Sequence, residues 1–224
     1  MTRIQKRIMY FGVVIVMLCA LSVVMVPAAP EAPAEPKPSE VKVHKALARI
    51  RELAENDRWA GLIEEFENED FSAWPEAAEG FYLRGMAYLN QKDGAKAERD
   101  LKEAVKRDPT ESFFWYGLAE TCHQLLKDDK RALEAYKKAF ELENNLGWMP
   151  AAAAVKSVNI LLYDLKNEEA LQLLQRYSDE DLEKIGDYWR FNLLRAYARV
   201  YAAMGQEEEA RVKFMAALVV ESRV

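Results

Sequence analysis

The segment YLRGMAYLNQKDGAKAERDL, residues 82–101, contains no grouping of side chains that is typical of catalysis. Its pattern is nevertheless regular, because two helix-forming halves flank the polar sequence NQKDG, which favours a turn. Each half places a small residue, Gly85 or Ala97, where a larger side chain would bury more surface. Helix axes approach to about 8–10 Å when the contacting side chains are small. We therefore predict two helices that close against each other at Gly85 and Ala97.

The same pattern recurs after 34 residues. At this distance a second set of three residues, Trp115, Ala119 and Cys122, corresponds to Phe81, Gly85 and Tyr88. The second half recurs one residue later, with Ala97, Leu101, Ala104 and Pro109 corresponding to Ala132, Tyr136, Ala139 and Asn144. A single inserted residue in the loop LLKDDK accounts for the difference. A helical pair cannot bury its apolar faces alone, so this periodicity indicates an array of stacked pairs.

The repeat resembles that of the tetratricopeptide repeat (TPR) family. The resemblance is clearest over residues 78–111, 112–146 and 191–224, and it is weaker where Gly61 and Ala170 take the small position. It implies an all-α fold, an α-α superhelical solenoid of about five TPR helical hairpins over residues 41–224. One N-terminal apolar helix is expected to precede this solenoid.

The resemblance also implies a partner-binding concave face, lined by the first helix of each hairpin. At the corresponding positions the chain carries Tyr82, Met86, Asn90, Tyr116, Glu120, His123, Asn159, Tyr163, Arg195 and Arg199. Some TPR domains hold a chaperone carboxyl terminus with a Lys and Asn clamp, and the residues at the clamp positions here do not support that activity. Tyrosines, a methionine and scattered charges instead favour an amphipathic or apolar peptide or protein segment.

The last predicted helix has apolar residues on more than one face. One stripe consists of Val212, Met215, Ala216 and Val219, and another of Ala210, Phe214, Ala217 and Leu218. Repeat arrays usually end in a helix with a polar outer face. We therefore predict that a second copy of the chain, in a homodimer, or another partner covers the first stripe. A solvated final helix, or another segment folded back on it, is the alternative.

The amino-terminal residues 1–26 have the pattern of a membrane anchor or signal segment. Three basic residues in MTRIQKR precede 19 uncharged residues, Ile8 to Val26, which as a helix would span roughly 28 Å. A retained transmembrane anchor, with the N-terminus in the cytoplasm and the TPR domain extracytoplasmic, is the favoured prediction. A signal cleaved near Val26-Pro27-Ala28, giving a periplasmic or secreted protein, is the alternative, and Cys19 is a poor lipoprotein site. The proline-rich residues 27–40 are predicted to be an extended linker.

Composition and residue counts exclude several classes of function. The net charge of −6, with basic and acidic residues interleaved as in ERDLKEAVKRD, disfavours nucleic acid and indicates solvated helix faces. Two cysteines, of which Cys19 lies in the apolar segment, leave no disulfide or cysteine zinc site for the folded part. Cys122 and His123 point about 100° apart on a helix, so no metal is expected. We recognise no nucleophile motif, and no histidine with an orienting acid, and expect neither catalysis nor a cofactor.

The tryptophans allow two interpretations. Trp74, Trp148 and Trp189 each precede a predicted first helix, beside irregular insertions. We predict that they fill wedges between unevenly spaced units, the alternative being an exposed docking surface. Several bacterial TPR proteins with one N-terminal helix serve in export, chaperoning or surface-structure assembly. By this resemblance the chain is expected to be a membrane-tethered scaffold for envelope proteins, or else a cleaved, soluble binding module.

Overall fold

The computed structural model describes residues 38–143 and 147–222, and every regular element in those ranges is helical. The predicted membrane or signal segment and residues 27–37 of the predicted linker lie outside the described residues. Within the described ranges, no helix has the length and apolar character needed to cross a membrane. The all-α prediction is confirmed for this part of the chain.

The α-helices of the described residues form five consecutive pairs, each joined by a short turn. A 3₁₀ turn, Phe71–Ala73, separates the first two pairs, and a short helix separates the last two. In chain order the helices are α1 (Pro38–Glu55), α2 (Trp59–Phe66), α3 (Ala77–Asn90), α4 (Gly94–Arg107), α5 (Ser112–Thr121), α6 (Asp129–Leu142), α7 (Trp148–Tyr163), α8 (Asn167–Leu174), α9 (Asp179–Lys184), α10 (Asp187–Ala203) and α11 (Glu207–Glu221).

Helix α1 begins at Pro38, inside the stretch predicted to be linker. Proline is well tolerated in the first helical turn, because the amide hydrogen that it lacks has no partner there in any case.

The predicted close contact between α3 and α4 is present. A Cβ atom placed on Gly85 would lie 2.7 Å from Leu101 Cγ, so any larger residue at this position would overlap with α4. Ala97, Leu101 and Ala104 are fully buried on the opposing face. The small residue at position 85 therefore allows Leu101 to reach the backbone of α3.

Each turn within a pair contains one residue in the left-handed region. These residues have φ between 54° and 75° and occupy equivalent places in the five turns: Asp57, Lys92, Lys127, Leu165 and Gly205. In four of the turns the amide of the next residue donates to the carbonyl five residues earlier: Arg58 to Leu53, Asp93 to Tyr88, Lys166 to Leu161 and Gln206 to Tyr201. These four turns thus share one geometry although their sequences differ.

The third turn accommodates the inserted residue in an unexpected place. The chain continues from α5 into a π-helical turn, Cys122–Leu126, and the amide of Asp128 donates to Cys122 six residues earlier. A π-turn absorbs one extra residue by widening the helix. We assigned the insertion to the loop LLKDDK, whereas the extra residue is taken up in Cys122–Leu126, which includes only the first two residues of that loop, Leu125 and Leu126.

A buried ion pair lies within the second pair, and its arginine also bonds to the end of the first pair; the sequence pattern did not indicate this contact. Arg84 on α3 donates to Asp100 on α4 at 2.6 Å, and also to the carbonyls of Phe66 (3.0 Å) and Glu69 (2.7 Å). Both side chains are almost completely buried. The guanidinium thus satisfies carbonyls beyond the end of α2 as well as the carboxylate.

Candidate functional site

The first helices of the second to fifth pairs (α3, α5, α7 and α10) carry the residues predicted to contact a partner. Tyr82 on α3 is half-buried, and its ring stacks at 5.0 Å on Phe114 of α5. Burial, together with the nearby Glu111 carboxylate, raises the pKa of Tyr82 to about 12. The phenol is therefore neutral near pH 7 and can act as a hydrogen-bond donor.

Tyr116 and Glu120 of α5 belong to a network that reaches two further helices. Glu120 is buried and accepts hydrogen bonds from Tyr136 of α6 (2.5 Å) and from Gln124, and Lys156 of α7 lies 3.1 Å away. The Tyr116 ring meets the Tyr136 ring edge-on at 5.7 Å. Glu120 thus lies beneath the surface, where it holds α5, α6 and α7 together, and Tyr116 packs against Tyr136, one of its hydrogen-bond donors.

An exposed aromatic patch extends from α5 to α10 and consists of Phe113, Tyr116, Trp148 and Tyr188. Phe113 is 38% exposed, Trp148 52% and Tyr188 62%. The Trp148 ring lies 5.8 Å from Phe113 and 6.5 Å from Tyr116. Tyr188 lies at the beginning of α10, which packs against α7, the helix that Trp148 begins. Burial, together with the nearby Glu120 carboxylate, raises the pKa of Tyr116.

The prediction that the tryptophans fill wedges between units is correct for Trp74 but not for Trp148. Trp74 is buried between Phe66 and Phe71, as a wedge residue should be. For Trp148 the wedge prediction is wrong. Trp148 opens α7 after Gly147, and its ring lies over the aromatic residues of α5 with half of its surface free. The sequence signals that could have indicated this surface are the run FFWY and the aromatic residue at the start of α7.

A cavity of about 1240 Å³ adjoins the patch at Phe113. It lies among the ends of α1 and α4 and the beginnings of α3 and α5, and it is lined by aromatic side chains, by carboxylates and by Arg107. Its lining includes Trp74, Tyr82, Phe113, Phe114, Glu55, Glu76, Glu79, Asp108 and Glu111. The cavity and the patch together offer aromatic side chains from four helical pairs, the second to the fifth.

Met86 and Asn90 of α3 lie apart from the aromatic patch. Both line a second cavity of about 490 Å³, together with Trp59, Gln124 and Leu125. Asn90 is exposed, whereas the Met86 sulfur would lie 3.1 Å from a Cβ atom placed on Gly117 of α5. Asn90 is thus available to a partner, while Met86 contributes mainly to the contact between α3 and α5.

His123 has an acidic neighbour, which we did not predict. Its Nδ1 atom lies 2.7 Å from Asp129 Oδ1, because the π-turn brings it opposite the beginning of α6. The two residues line a shallow cavity with Gln124 and Lys127, none of which is a serine or cysteine nucleophile. Burial raises the pKa of the adjacent Cys122 thiol, which disfavours its reactive thiolate form. Among the described residues, no three His, Cys, Asp or Glu side chains come together as a metal site.

The remaining predicted residues lie on α7 and α10. Asn159 accepts a hydrogen bond from Arg199, so these two residues are brought together across the last two pairs. Arg195 is exposed and lies over the Phe191 ring at 5.2 Å. Tyr163 is exposed at the end of α7.

The residues proposed as a C-terminal interface lie on α11. Val212, Met215 and Val219 are more than half exposed, and Ala216 is partly buried against the core. The second stripe divides, since Ala217 is fully buried while Phe214 and Leu218 are exposed.

Comparison with known proteins identifies one repeat and the fold. The tetratricopeptide repeat family model matches residues 78–111, the pair α3 and α4. No curated protein sequence matches the chain. A crystal structure of MamA is similar over 78% of this chain and 95% of its own, with 18% identity and a TM-score of 0.62. A second structure, of MamA MSR-1, is similar over 83% of this chain and 98% of its own, with 20% identity and a TM-score of 0.60.

A putative kinesin light chain from Podospora anserina, with nearly identical TPR-like repeats, covers 82% of this chain and 96% of its own. Its identity is 14% and its TM-score is 0.61. The chain therefore contains a tetratricopeptide repeat at residues 78–111 within an all-helical array that has the TPR-like fold.

Proposed function

We propose that this protein is a scaffold that binds an extended, aromatic or apolar segment of a partner protein along the first helices of its repeats. The TPR fold generally mediates contacts between proteins, and repeat arrays offer extended surfaces for that purpose. The role proposed is binding and assembly rather than catalysis.

The observation that supports this proposal is the exposed aromatic patch. Large aromatic side chains are enriched at the energetic centres of protein interfaces, because they bury much surface with little loss of conformational freedom. Here Phe113, Trp148 and Tyr188 come from three successive pairs, so one bound segment could contact all three. Five carboxylates and a single arginine, Arg107, line the adjoining cavity, and this excess of negative charge would favour basic residues in that segment.

Site-specific photo-crosslinking in cells tests the patch. A photoreactive phenylalanine analogue replaces Trp148 in one strain and the exposed Leu165, which is outside the patch, in another. We expect a discrete crosslinked partner from position 148 only, and its loss when Tyr188→Ala is added. Binding of the identified segment should weaken by about 2 kcal/mol in Trp148→Ala. Equal crosslinking from both positions would contradict the proposal.

We also propose that the scaffold is exported and held at the membrane by residues 8–26, where it serves the assembly, export or chaperoning of envelope proteins. The basic residues followed by a long uncharged segment support this topology. A cleaved, soluble form is the alternative. N-terminal sequencing of the mature protein and carbonate extraction of membranes distinguish the two forms. If the anchor is retained, the mature protein begins at residue 1 or 2 and stays in the membrane during extraction.

Pairing with a second copy through Val212, Met215, Ala216 and Val219 is part of the same proposal. Three of these side chains are more than half exposed on one side of α11, which supports an apolar contact there. Sedimentation of the full chain at tens of micromolar should give a dimer that Met215→Glu dissociates. A strict monomer would exclude this part of the proposal.

A further inference from the structure

The last helical pair contains an open slot between α10 and α11. It is a cavity of about 400 Å³ with an apolar floor and a cationic rim. Its lining consists of Ala198, Ala202, Ala210, Phe214, Arg195, Arg199 and Arg211.

The same slot exists in the second pair, where a helix occupies it. Counting back 113 residues from the slot residues of the last pair gives Tyr82, Gly85, Met86, Leu89, Ala97, Glu98 and Leu101. In the second pair the next helix, α5, enters at Gly117. A Cβ atom at Gly117 would lie 3.1 Å from Leu101 Cδ2, 3.1 Å from Met86 Sδ and 3.3 Å from Tyr82 Cε2. The slot therefore has the form of a helix-binding site.

Residues at equivalent positions are buried in the pairs where a following helix covers the slot, and they are exposed in the last pair. Leu101 and Tyr136, which correspond to Phe214 in the second and third pairs, are fully buried, whereas Phe214 is 48% exposed. Val105 and Phe140 are buried in the same way, while their counterpart Leu218 is 39% exposed. Within residues 38–143 and 147–222, therefore, the last slot keeps the apolar residues of a helix contact without the helix.

The rim of the last slot is positively charged, unlike that of the second. Arg195, Arg199 and Arg211 occupy the places of Tyr82, Met86 and Glu98. Arg211 pairs with Glu208, and Arg199 bonds the amide oxygen of Asn159. In the described part of the chain, neither Arg195 nor Arg199 forms an ion pair with a carboxylate. The rim thus has positive charge available for an acidic partner.

We propose that this slot binds an α-helix of a second protein that has a small residue at the point of contact and carboxylates one turn to either side. The small residue would take the place of Gly117, and the carboxylates would pair with Arg195 and Arg199. A two-fold contact between slots of two copies is disfavoured, because it would bring one arginine rim against the other. The proposal goes beyond the function proposed above and concerns a surface separate from the aromatic patch.

A peptide derived from α5 itself is a suitable probe, since α5 fills the equivalent slot. The acidic probe consists of residues 112–126 with Phe114→Glu and Thr121→Glu, stapled as a helix on its opposite side. Position 114 is chosen because Phe114 contacts Tyr82, the counterpart of Arg195. Thr121 lies one turn beyond Gly117 on the same side. The unmodified peptide, and a peptide with lysine at both positions, are the controls.

We expect the full chain to bind the acidic probe at least tenfold more tightly than either control peptide, as measured by fluorescence polarisation. Phe214→Ala should weaken binding of the probe about tenfold. Leu165→Ala, which changes an exposed apolar side chain outside the slot, the patch and the apolar stripe of α11, should change it less than twofold. Arg195→Glu should reverse the preference towards the lysine peptide. Trp148→Ala should leave probe binding unchanged, which separates this proposal from that of the aromatic patch.

Three results would overturn the inference. The first is equal affinity for the acidic and lysine peptides, and the second is equal binding of the acidic probe by Phe214→Ala and Leu165→Ala. The third is a dimer of the unmodified chain that Phe214→Ala dissociates, because the occupant of the slot would then be a second copy. Circular dichroism of each variant confirms that the helices are retained.

Discussion

At the scale of single residues, two helical glycines should respond in opposite ways to the same substitution. A Cβ atom at Gly85 would lie 2.7 Å from Leu101 Cγ and 3.3 Å from the Leu101 amide nitrogen, whereas at Gly61 it would meet Leu53 at an ordinary 3.6 Å. Alanine is favoured over glycine inside helices by about 1 kcal/mol. Overpacking costs roughly 1–3 kcal/mol. We expect Gly61→Ala to raise the free energy of unfolding by up to about 1 kcal/mol and Gly85→Ala to lower it.

Urea denaturation followed by circular dichroism measures both changes, and each variant serves as the control of the other. If Gly85→Ala were as stabilising as Gly61→Ala, the close contact of α3 with Leu101 would not limit the size of residue 85. The TPR pattern was recognised from this small residue, so the experiment also tests the physical basis of the resemblance.

The buried pair Arg84 and Asp100 marks a limit of sequence reasoning at this scale. The pattern of small and aromatic residues correctly indicated the apolar face of each helix. Asp100 lies in the segment ERDLKEAVKRD, which we interpreted as a solvated helix face, and no prediction was made for Arg84, which directly precedes Gly85. In the structure the 3₁₀ segment folds over Arg84, and the guanidinium lies 4.7 Å from the centre of the Phe71 ring. That contact depends on an irregular segment, which periodicity does not describe.

At the scale of elements, the left-handed residue in each turn supports a second prediction. Leu165 (φ 59°) and Gly205 (φ 75°) occupy equivalent turns, both are exposed, and nothing surrounds Gly205 within 4 Å. The left-handed conformation costs a residue with a Cβ atom roughly 1–2 kcal/mol, and part of this is offset by the greater freedom of glycine in the unfolded chain. We expect Leu165→Gly to stabilise the fold by roughly 0.5–1 kcal/mol, and Gly205→Ala to destabilise it by a similar amount.

Thermal and urea unfolding of both variants, compared with the unmodified chain, measures these changes. Opposite signs are the expected result. Destabilisation by Leu165→Gly would mean that the exposed Leu165 side chain contributes a contact that outweighs its backbone strain. Because the substitution changes only one turn, far-ultraviolet circular dichroism should remain the same.

The turn that contains the insertion shows why element boundaries were harder to predict than the elements themselves. The one-residue shift between repeats was visible in the sequence, but its position was not. In the second turn the corresponding carbonyl, that of Tyr88, accepts from the amide of Asp93 five residues later, whereas the Cys122 carbonyl also accepts from the amide of Asp128 six residues later. Both solutions keep Ala119 and Ala132 buried, so the apolar pattern that was used to align the repeats cannot distinguish them.

At the scale of the whole array, polar contacts join neighbouring pairs at separations close to the repeat length. They include Lys96 with Glu67, Arg131 with Glu98, Lys137 with Glu169, and Lys213 with Asp179. The sequence indicated surface pairs within single helices, and some of these are present, such as Lys102 with Glu98. The ion pairs between neighbouring helical pairs depend on how the repeats stack. In the sequence, the repeat period is the feature from which they could have been predicted. The aromatic patch is likewise a product of stacking, because its residues are distant in sequence.

Among these bridges, the one at Glu120 should make the stability of the array depend on pH. Burial raises the pKa of Glu120, but hydrogen bonds from Tyr136, Lys156 and Gln124 lower it by more, so the folded-state pKa lies below the ordinary value of 4.5. A carboxylate with a depressed pKa contributes stability that is fully present above its unfolded value. This contribution is lost as the pH falls from about 4.5 through the folded-state pKa.

Glu120→Gln removes the charge and retains the shape, so it should lower the free energy of unfolding by about 1–3 kcal/mol at pH 7. The difference from the unmodified chain should shrink between pH 4.5 and the acid limit, because the native carboxylate then becomes protonated as well. Urea denaturation at a series of pH values measures this dependence. Glu169→Gln, at the exposed pair with Lys137, is the matched control and should cost less than about 1 kcal/mol. A constant difference between Glu120→Gln and the unmodified chain across this range would show that the charge of Glu120 does not hold α5, α6 and α7 together.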